Sequence, residues 1–482
     1  MTAGPTPEAP RRGFFVNVGS LVSARAVLAL SQILVLPIIA RALTVEEFAL
    51  MAMAMTVVVF CSVLSDAGLG RSLIRSPGYD LTEWSSVFWL LTGVGIALML
   101  LILAIAPGWA AFYGETDLIP VLAALSVVPL FLALSAAPNA EIERRENYTG
   151  IASVQMATTV ISLSLAVLLA LAGAGVWALV AQQIAIAVIR LAGILWLTEF
   201  RPRLTFSARL LKPHLIFAKD ALLISAISTV RAQVAVVAVG KGLGQSPLGL
   251  YSMSERFARV PQLGLAGPMS TVVYVRMAKA QDKPDRLVAI YLASLRLLSV
   301  ALIPPLALLA VAGEAVFTIL LSADWTPVAT IFALSIPGLA IEAISVVCLA
   351  CLFRATARTD LLVRLTIEAT LLKSVLVVAA AAISLNAVAL SLTIWGLLIA
   401  PRAWALAARI VPLRMADCLR TLAVPTAIGA AFAGLHIWIA GSSGIGYPAE
   451  LALSAALAAA ALGTTALVER RKIRAAIAVF QS

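Results

Sequence analysis

The sequence predicts an all-α integral membrane protein of about fourteen transmembrane helices, two six-helix lobes followed by two further helices. Three observations predict it. Of 482 residues, 62% are hydrophobic and only 12% charged, against roughly 25% charged in soluble domains, so a bilayer must cover most of the surface. Apolar stretches of about 20 residues, the length of a spanning helix, recur along the whole chain. The basic residues fall on nearly every second connection between those stretches.

The fourteen stretches start near Asn17, Phe48, Trp84, Leu118, Thr149, Gly175, Ala218, Leu248, Leu287, Val328, Leu361, Ala387, Leu422 and Ala449. Transmembrane strands would show alternating segments of about ten residues. Runs such as Ile151 to Leu171 are instead continuously apolar and rich in Ala, Leu and Val, which reads as helix.

Lys and Arg accumulate on cytoplasmic loops. With the amino terminus inside, the inward segments hold Arg11 and Arg12; Arg71 and Arg75; Arg144 and Arg145; Arg201, Arg203, Arg209 and Lys212; Arg276, Lys279, Lys283 and Arg286; Arg354 and Arg358; Arg409, Arg414 and Arg420; and Arg470, Arg471, Lys472 and Arg474. These are 23 of the 35 basic residues, and the outward loops hold only Arg41 and Lys241. Both termini are therefore expected in the cytoplasm. Outward loops carry Glu46, Glu47, Glu115, Asp117, Glu314, Asp324 and Glu450, with Trp109, Tyr113 and Trp325 suited to the headgroup zone. The net charge of +11 is dispersed over separate inward segments rather than one face, so anionic lipid headgroups, not nucleic acid, are the expected neighbours. Residues 1–16 form a tail, Pro-rich and polar over its first ten positions and then carrying Arg11 and Arg12. The apolar stretch that begins at Asn17 is a full-length span rather than a short export signal.

The longest inward connection, 199–217, follows the sixth span and contains Arg201-Pro202-Arg203. It divides an N-lobe at 17–198 from a C-lobe at 218–410, with helices 13 and 14 at 411–468 and a cytoplasmic tail at 469–482. Arg41-Ala42-Leu43 with Phe48-Ala49-Leu50 is echoed 200 residues later by Lys241-Gly242-Leu243 with Leu248-Gly249-Leu250. A parallel repeat of this kind places a substrate path at the repeat interface; biased composition is the competing explanation. Prolines within spans, including Pro37, Pro129, Pro261, Pro268, Pro304, Pro305, Pro337 and Pro401, predict kinks.

Several chemistries are missing. Gly240-Lys241-Gly242-Leu243-Gly244 has the wrong spacing for a nucleotide-binding loop and lies in an outward turn. His214 and His436 are more than 200 residues apart without a ligand cluster, so no metal and no cofactor is expected. Cys61, Cys348, Cys351 and Cys418 read as packing residues. The outward loops are too short for a catalytic domain.

Charges inside the spans point to function. Arg190, Lys219, Arg364 and Arg402 lie close enough to the inner face to snorkel, whereas Arg25, Arg231, Arg256, Arg259, Arg296 and Lys373 are deeper. Each deep cation costs roughly 2.5 to 3.5 kcal/mol at the centre of a lone helix, so such residues face a cavity or a partner. Acids are fewer: Glu255 reaches Arg259 and Arg364 reaches Glu368 at i,i+4 spacing, leaving Asp66, Asp220 and Glu342. The deep surplus is positive and suits an anion; the planar guanidinium fork suits phosphate. Arg25, Arg231, Arg256, Arg259 and Arg296 are the candidate anion-binding residues. Glu342 and Asp220 are the candidates for ion coupling, with a neutral carboxyl making one helix-to-helix hydrogen bond the other reading of Glu342.

The chain resembles the oligosaccharide flippases of the multidrug/oligosaccharidyl-lipid/polysaccharide exporter superfamily, particularly exporters of exopolysaccharide and O-antigen repeat units. The resemblance runs through Ile39-Ala40-Arg41-Ala42-Leu43, Glu46-Glu47-Phe48-Ala49-Leu50, Asp66-Ala67-Gly68-Leu69-Gly70, Arg144-Arg145-Glu146-Asn147-Tyr148, Gly175-Val176-Trp177-Ala178-Leu179-Val180 and Arg201-Pro202. It implies two lobes around a central cavity, alternating access, and export of polyprenyl-diphosphate-linked oligosaccharides that polysaccharide polymerase machinery then consumes. It also implies cavity arginines on the first, second and eighth helices. Arg25, Arg256 and Arg259 match the first and eighth, while the second helix departs from the pattern, since Arg71 follows its inner end. The competing functions are a drug/cation antiporter of the same superfamily, which would place acids in its cavity, and a membrane polysaccharide polymerase, which would present long outward loops.

Overall fold

The computed structural model describes residues 35–481 apart from positions 67 and 77. Arg25 and the start of the first span lie outside the described residues. The N-terminal half comprises α1 (35–42), α2 (Val45–Asp66), α3 (Leu69–Arg75), α4 (Leu81–Tyr113), α5 (Leu118–Leu125), α6 (Val127–Arg144), α7 (Tyr148–Leu171), α8 (Val176–Leu197) and α9 (Ala208–Leu243). The C-terminal half adds α10 (Gln245–Pro261), α11 (Gly267–Lys279), α12 (Pro284–Val311), α13 (Gly313–Leu320), α14 (Val328–Ile341), α15 (Val347–Ala355), α16 (Thr359–Ala381), α17 (Leu385–Ala407), α18 (Met415–Ser443), α19 (Tyr447–Val468) and α20 (Arg470–Gln481).

Among the described residues, eleven helices are long and apolar enough to cross a membrane. The expected spans starting near Leu248 and Leu361 are also long rods, α10–α11 and α16, but fall outside that set. They are the rods that carry Glu255, Arg256, Arg259 and Lys373. The expected connection at 199–217 is non-helical only through Ser207, because α9 already begins at Ala208.

Local chemistry explains the interruptions. Pro129 cannot donate to the carbonyl of Leu125, and the rod breaks there into α5 and α6 around Ser126. Pro261 and Pro268 bracket a π-turn at Gln262–Ala266 that joins α10 to α11. A second π-turn, Glu342–Val346, joins α14 to α15 shortly after Pro337, and the two π-turns touch. Single π-turns inside helices recur at functional sites.

The chain forms two compact units. Of the described residues, one holds 35–42 and Val57–Ala226, the other Leu43–Thr56 and everything from Ile227 onward. Two helices therefore change unit along their length: α2 after Thr56 and α9 after Ala226.

In the first unit, Trp84, fully buried on α4, packs against Phe200 with ring centroids 6.0 Å apart, in a buried cluster that also includes Phe88, Leu211 and Ala218. In the second, α18 and α19 pack against α12, so the last two spans belong to that unit.

Connections of like parity meet. Arg145 pairs with Glu199 at 2.7 Å, the Trp89 indole donates to the Arg203 carbonyl at 2.7 Å, and His214 sits 2.7 Å from Glu83 and 2.7 Å from Ser72. Apart from Trp89, a few residues into α4, these lie in segments read as inward. Tyr447 donates to Glu314 at 2.9 Å, and both belong to segments read as outward. The four cysteines are free and buried.

Candidate anion-binding site

The second unit gathers charge well inside its rods. Counting 1.5 Å per helical residue, Arg231, Arg256, Glu342 and Lys373 lie roughly 12 to 21 Å from the rod ends read as outward. Arg231 comes from α9, Glu255, Arg256 and Arg259 from α10, Glu342 from the π-turn after α14, and Lys373 from α16.

The helices that present these groups cross closely. A Cβ on Gly396 of α17 would lie 2.2 Å from the Gly338 carbonyl oxygen of α14, and one on Gly338 would lie 2.3 Å from the Thr393 backbone. Only glycines permit that approach. Thr393 then donates to the Leu334 carbonyl at 2.6 Å and accepts from the Gly338 N–H at 3.3 Å. Its hydroxyl thus inserts into the hydrogen-bond ladder of α14 just before the π-turn that Glu342 opens. At the other end of α10, Gly249 lets the Val45 carbonyl of α2 approach to 2.2 Å from where a Cβ would be.

Two cations are held by rings. The Arg256 guanidinium lies 5.1 Å from the centroid of Phe48, itself braced edge-on by Trp325 at 5.2 Å. The Lys373 ammonium lies 5.5 Å from the centroid of Trp395, whose indole N–H donates to the Ala369 carbonyl at 2.9 Å. A cation–π contact fixes the cation without consuming its N–H donors, so both remain able to bind an oxygen ligand. Arg256 and Arg259 keep substantial accessible surface, whereas Lys373 is 6% exposed.

Only one pair within the group is closed: Arg259 donates to Glu255 at 2.8 Å. Among the described residues, Arg231 and Glu342 make no hydrogen bond or ion pair, and the charges within electrostatic reach of Glu342 are Arg231, Lys373 and Arg259. Arg231, Arg256, Arg259 and Lys373 stand against Glu255 and Glu342, four cations against two carboxylates. Such an imbalance inside a bundle is expensive and suits an anion that supplies the missing charge and accepts the unused N–H groups.

The structure brings Arg231, Arg256, Arg259 and Glu342 together. Arg296 stands apart: it pairs with Glu469 beyond α19 and lies 3.5 Å from Thr421 of α18, because its face of α12 packs against the last helices. Asp220 falls within α9, its side chain outside what the structure describes. Arg25 lies outside the described residues. Lys373, recognised from sequence only as a deep cation, joins the group; the signal was its place well inside an otherwise apolar part of α16. Arg402, expected to snorkel, shares Glu368 with Arg364 at 2.7 and 2.8 Å.

Spanning helices with charge gathered inside the bundle are the layout of a multi-pass membrane transporter. The chain belongs to the polysaccharide biosynthesis protein family, whose model matches residues 38–330. It is 28% identical over 335 residues to the succinoglycan biosynthesis transport protein ExoT of Rhizobium meliloti, covering 68% of this chain and 67% of that one. It spans only about half the length of two further curated relatives that it matches. The fold is that of the lipid II flippase MurJ in an inward closed conformation, with a TM-score of 0.75 at 13% identity, covering 95% of this chain and all of that one. An inward-facing multidrug resistance MATE family transporter of the MOP superfamily superposes with a TM-score of 0.62 at 15% identity, covering 80% of this chain and 97% of that one.

Proposed function

We propose that this protein is a flippase that moves a polyprenyl-diphosphate-linked oligosaccharide from the cytoplasmic to the periplasmic leaflet by alternating access. The observation that carries the reading is the cationic surplus at Arg231, Arg256, Arg259 and Lys373 in the middle of the second unit. Membership of a polysaccharide biosynthesis family supports a sugar-bearing cargo. A diphosphate supplies two adjacent anionic groups for the free guanidinium and ammonium donors, while the surplus disfavours a cationic drug. Arg25, in the first apolar stretch of the sequence, is proposed as a further diphosphate ligand, Glu342 as the proton carrier, and Asp220 as a second ion-coupling candidate.

Deleting the gene and analysing polyprenol-linked sugars tests the reading. A complete lipid-linked repeat unit is expected to accumulate; accumulation of partial units would indicate a transferase instead. The proposed orientation, with both termini in the cytoplasm of an inner membrane, is tested by single cysteines in a cysteine-free background. Positions Glu115 and Glu450 should label with an impermeant reagent in intact cells, and Arg145 and Arg471 only after lysis.

A further inference from the structure

The first unit contains a cavity of about 350 Å³ between α6, α7 and α8. A second of about 300 Å³ adjoins it, and Asn139 and Arg190 line both. Both volumes are at the lower end of the about 300–1,000 Å³ usual for ligand sites. The shared end lies on the same side as Arg144, Arg145 and the 199–207 connection, the side read as inward.

The lining is unlike the cluster of the second unit. Among aliphatic side chains such as Ile151, Val154 and Ile186, its polar lining is of amides and hydroxyls, including Gln155, Thr158 and Ser162 on α7, Gln182 on α8 and Asn139 on α6, with Arg190 its one cation. Thr158 is 6% exposed, yet its hydroxyl has no hydrogen-bond partner although it lines the cavity. A buried hydroxyl left unpartnered costs free energy comparable to a lost hydrogen bond. Gln155 and Arg190 are exposed and Gln182 half-buried, and among the described residues their side chains make no hydrogen bond or ion pair and are free to meet a ligand. A membrane-embedded wall with this many unused neutral donors and acceptors is poorly suited to a lipid tail. One arginine without a second cation is a weak diphosphate site. Neutral amides, each presenting a donor beside an acceptor, suit the paired hydroxyls of a sugar ring.

We infer that this groove is a glycan subsite, in which Gln155, Thr158 and Gln182 bind sugar hydroxyls and Arg190 marks the inward entrance. The assignment rests on the flippase reading and adds to it a place in the first unit where the cargo's sugar, rather than its diphosphate, is recognised.

The test uses the full-length chain in lipid nanodiscs and two probes: undecaprenyl diphosphate, and the lipid-linked oligosaccharide purified from the deletion strain. A Gln155→Leu, Gln182→Leu double variant should weaken binding of the glycosylated probe by about tenfold or more and leave undecaprenyl diphosphate binding within about twofold. Thr158→Val, which keeps the side chain's shape, should act in the same direction, and Thr158→Ser should restore wild-type affinity. Arg256→Ala should weaken both probes. Equal losses on both probes in the double variant, or no loss on either, would overturn the groove while leaving the diphosphate reading intact. Wild-type protein that binds neither probe would overturn the flippase reading and this assignment with it.

Discussion

The two units use polar residues differently. In the second, formal charges on α9, α10, the π-turn after α14, and α16 lie within electrostatic reach of one another, two of the cations held by the faces of Phe48 and Trp395. In the first, the groove of α6, α7 and α8 is neutral except for Arg190, and its polar groups are amides and hydroxyls. The contrast reflects the cost of each chemistry. A charge in a span is tolerated only where rings, neighbouring charges or water hold it, so the cationic site needs close helix crossings and two π-turns. Amides and hydroxyls are cheaper to embed, and the groove sits among uninterrupted helices α7 and α8.

The largest effect should come from breaking the charged cluster's frame. Gly396→Ala drives a methyl into the Gly338 carbonyl, and overpacking of this kind costs about 1–3 kcal/mol or more. The variant should lose thermal stability or membrane level, measured by melting in detergent and by immunoblot. Gly173→Ala would not be an equivalent control, since Gly173 has a positive φ of 78°; Gly108, with open space around it, is, and Gly108→Ala should leave both unchanged.

Next is Arg256→Ala, which should keep normal membrane levels and lose on the order of 1.5 to 3 kcal/mol of diphosphate binding, tenfold or more in affinity. Arg256→Lys should recover only part, keeping charge and losing the fork. Titration with undecaprenyl diphosphate measures both.

A smaller, selective change is expected from Glu342→Gln. Glu342 has no bonded partner among the described residues and sits within reach of three cations. If it carries the coupling proton, transport by the folded variant should cease to vary with pH. A fully active variant with unchanged pH dependence would return Glu342 to a structural role.

The smallest effect is expected from Arg402→Ala. Arg402 is partly exposed and shares Glu368 with Arg364, and surface pairs of this kind contribute about 0–1 kcal/mol. Export measured in cells should stay near wild type.

Much of this was legible in the sequence. The long spans follow from apolar length, and the meeting of like-parity connections follows from the Lys and Arg pattern, as Arg145 with Glu199 shows. The Glu255 and Arg259 pair was legible because i,i+4 spacing fixes neighbours on one helix. Partners on different helices were not. Arg296 looks as deep as Arg256 in sequence, yet Glu469, 173 residues on, claims it. Spacing alone does not say which face of α12 meets which rod. The cation–π seat of Arg256 and the insertion of Thr393 into α14 depend on helix crossings set by single glycines, and the seat of Lys373 on the packing of α16 against α17. The groove escaped notice because Gln155, Thr158 and Gln182 carry no charge and lie in segments that are apolar on average.

The most direct measurement is transport in reconstituted vesicles, with lipid-linked oligosaccharide initially shielded from an impermeant glycan-modifying reagent. Wild-type protein and Arg402→Ala should deliver the glycan to the accessible leaflet, and an Arg25→Ala, Arg256→Ala double variant present at equal amount should not. Delivery by that double variant at the wild-type rate would contradict the claim that these arginines grip the diphosphate.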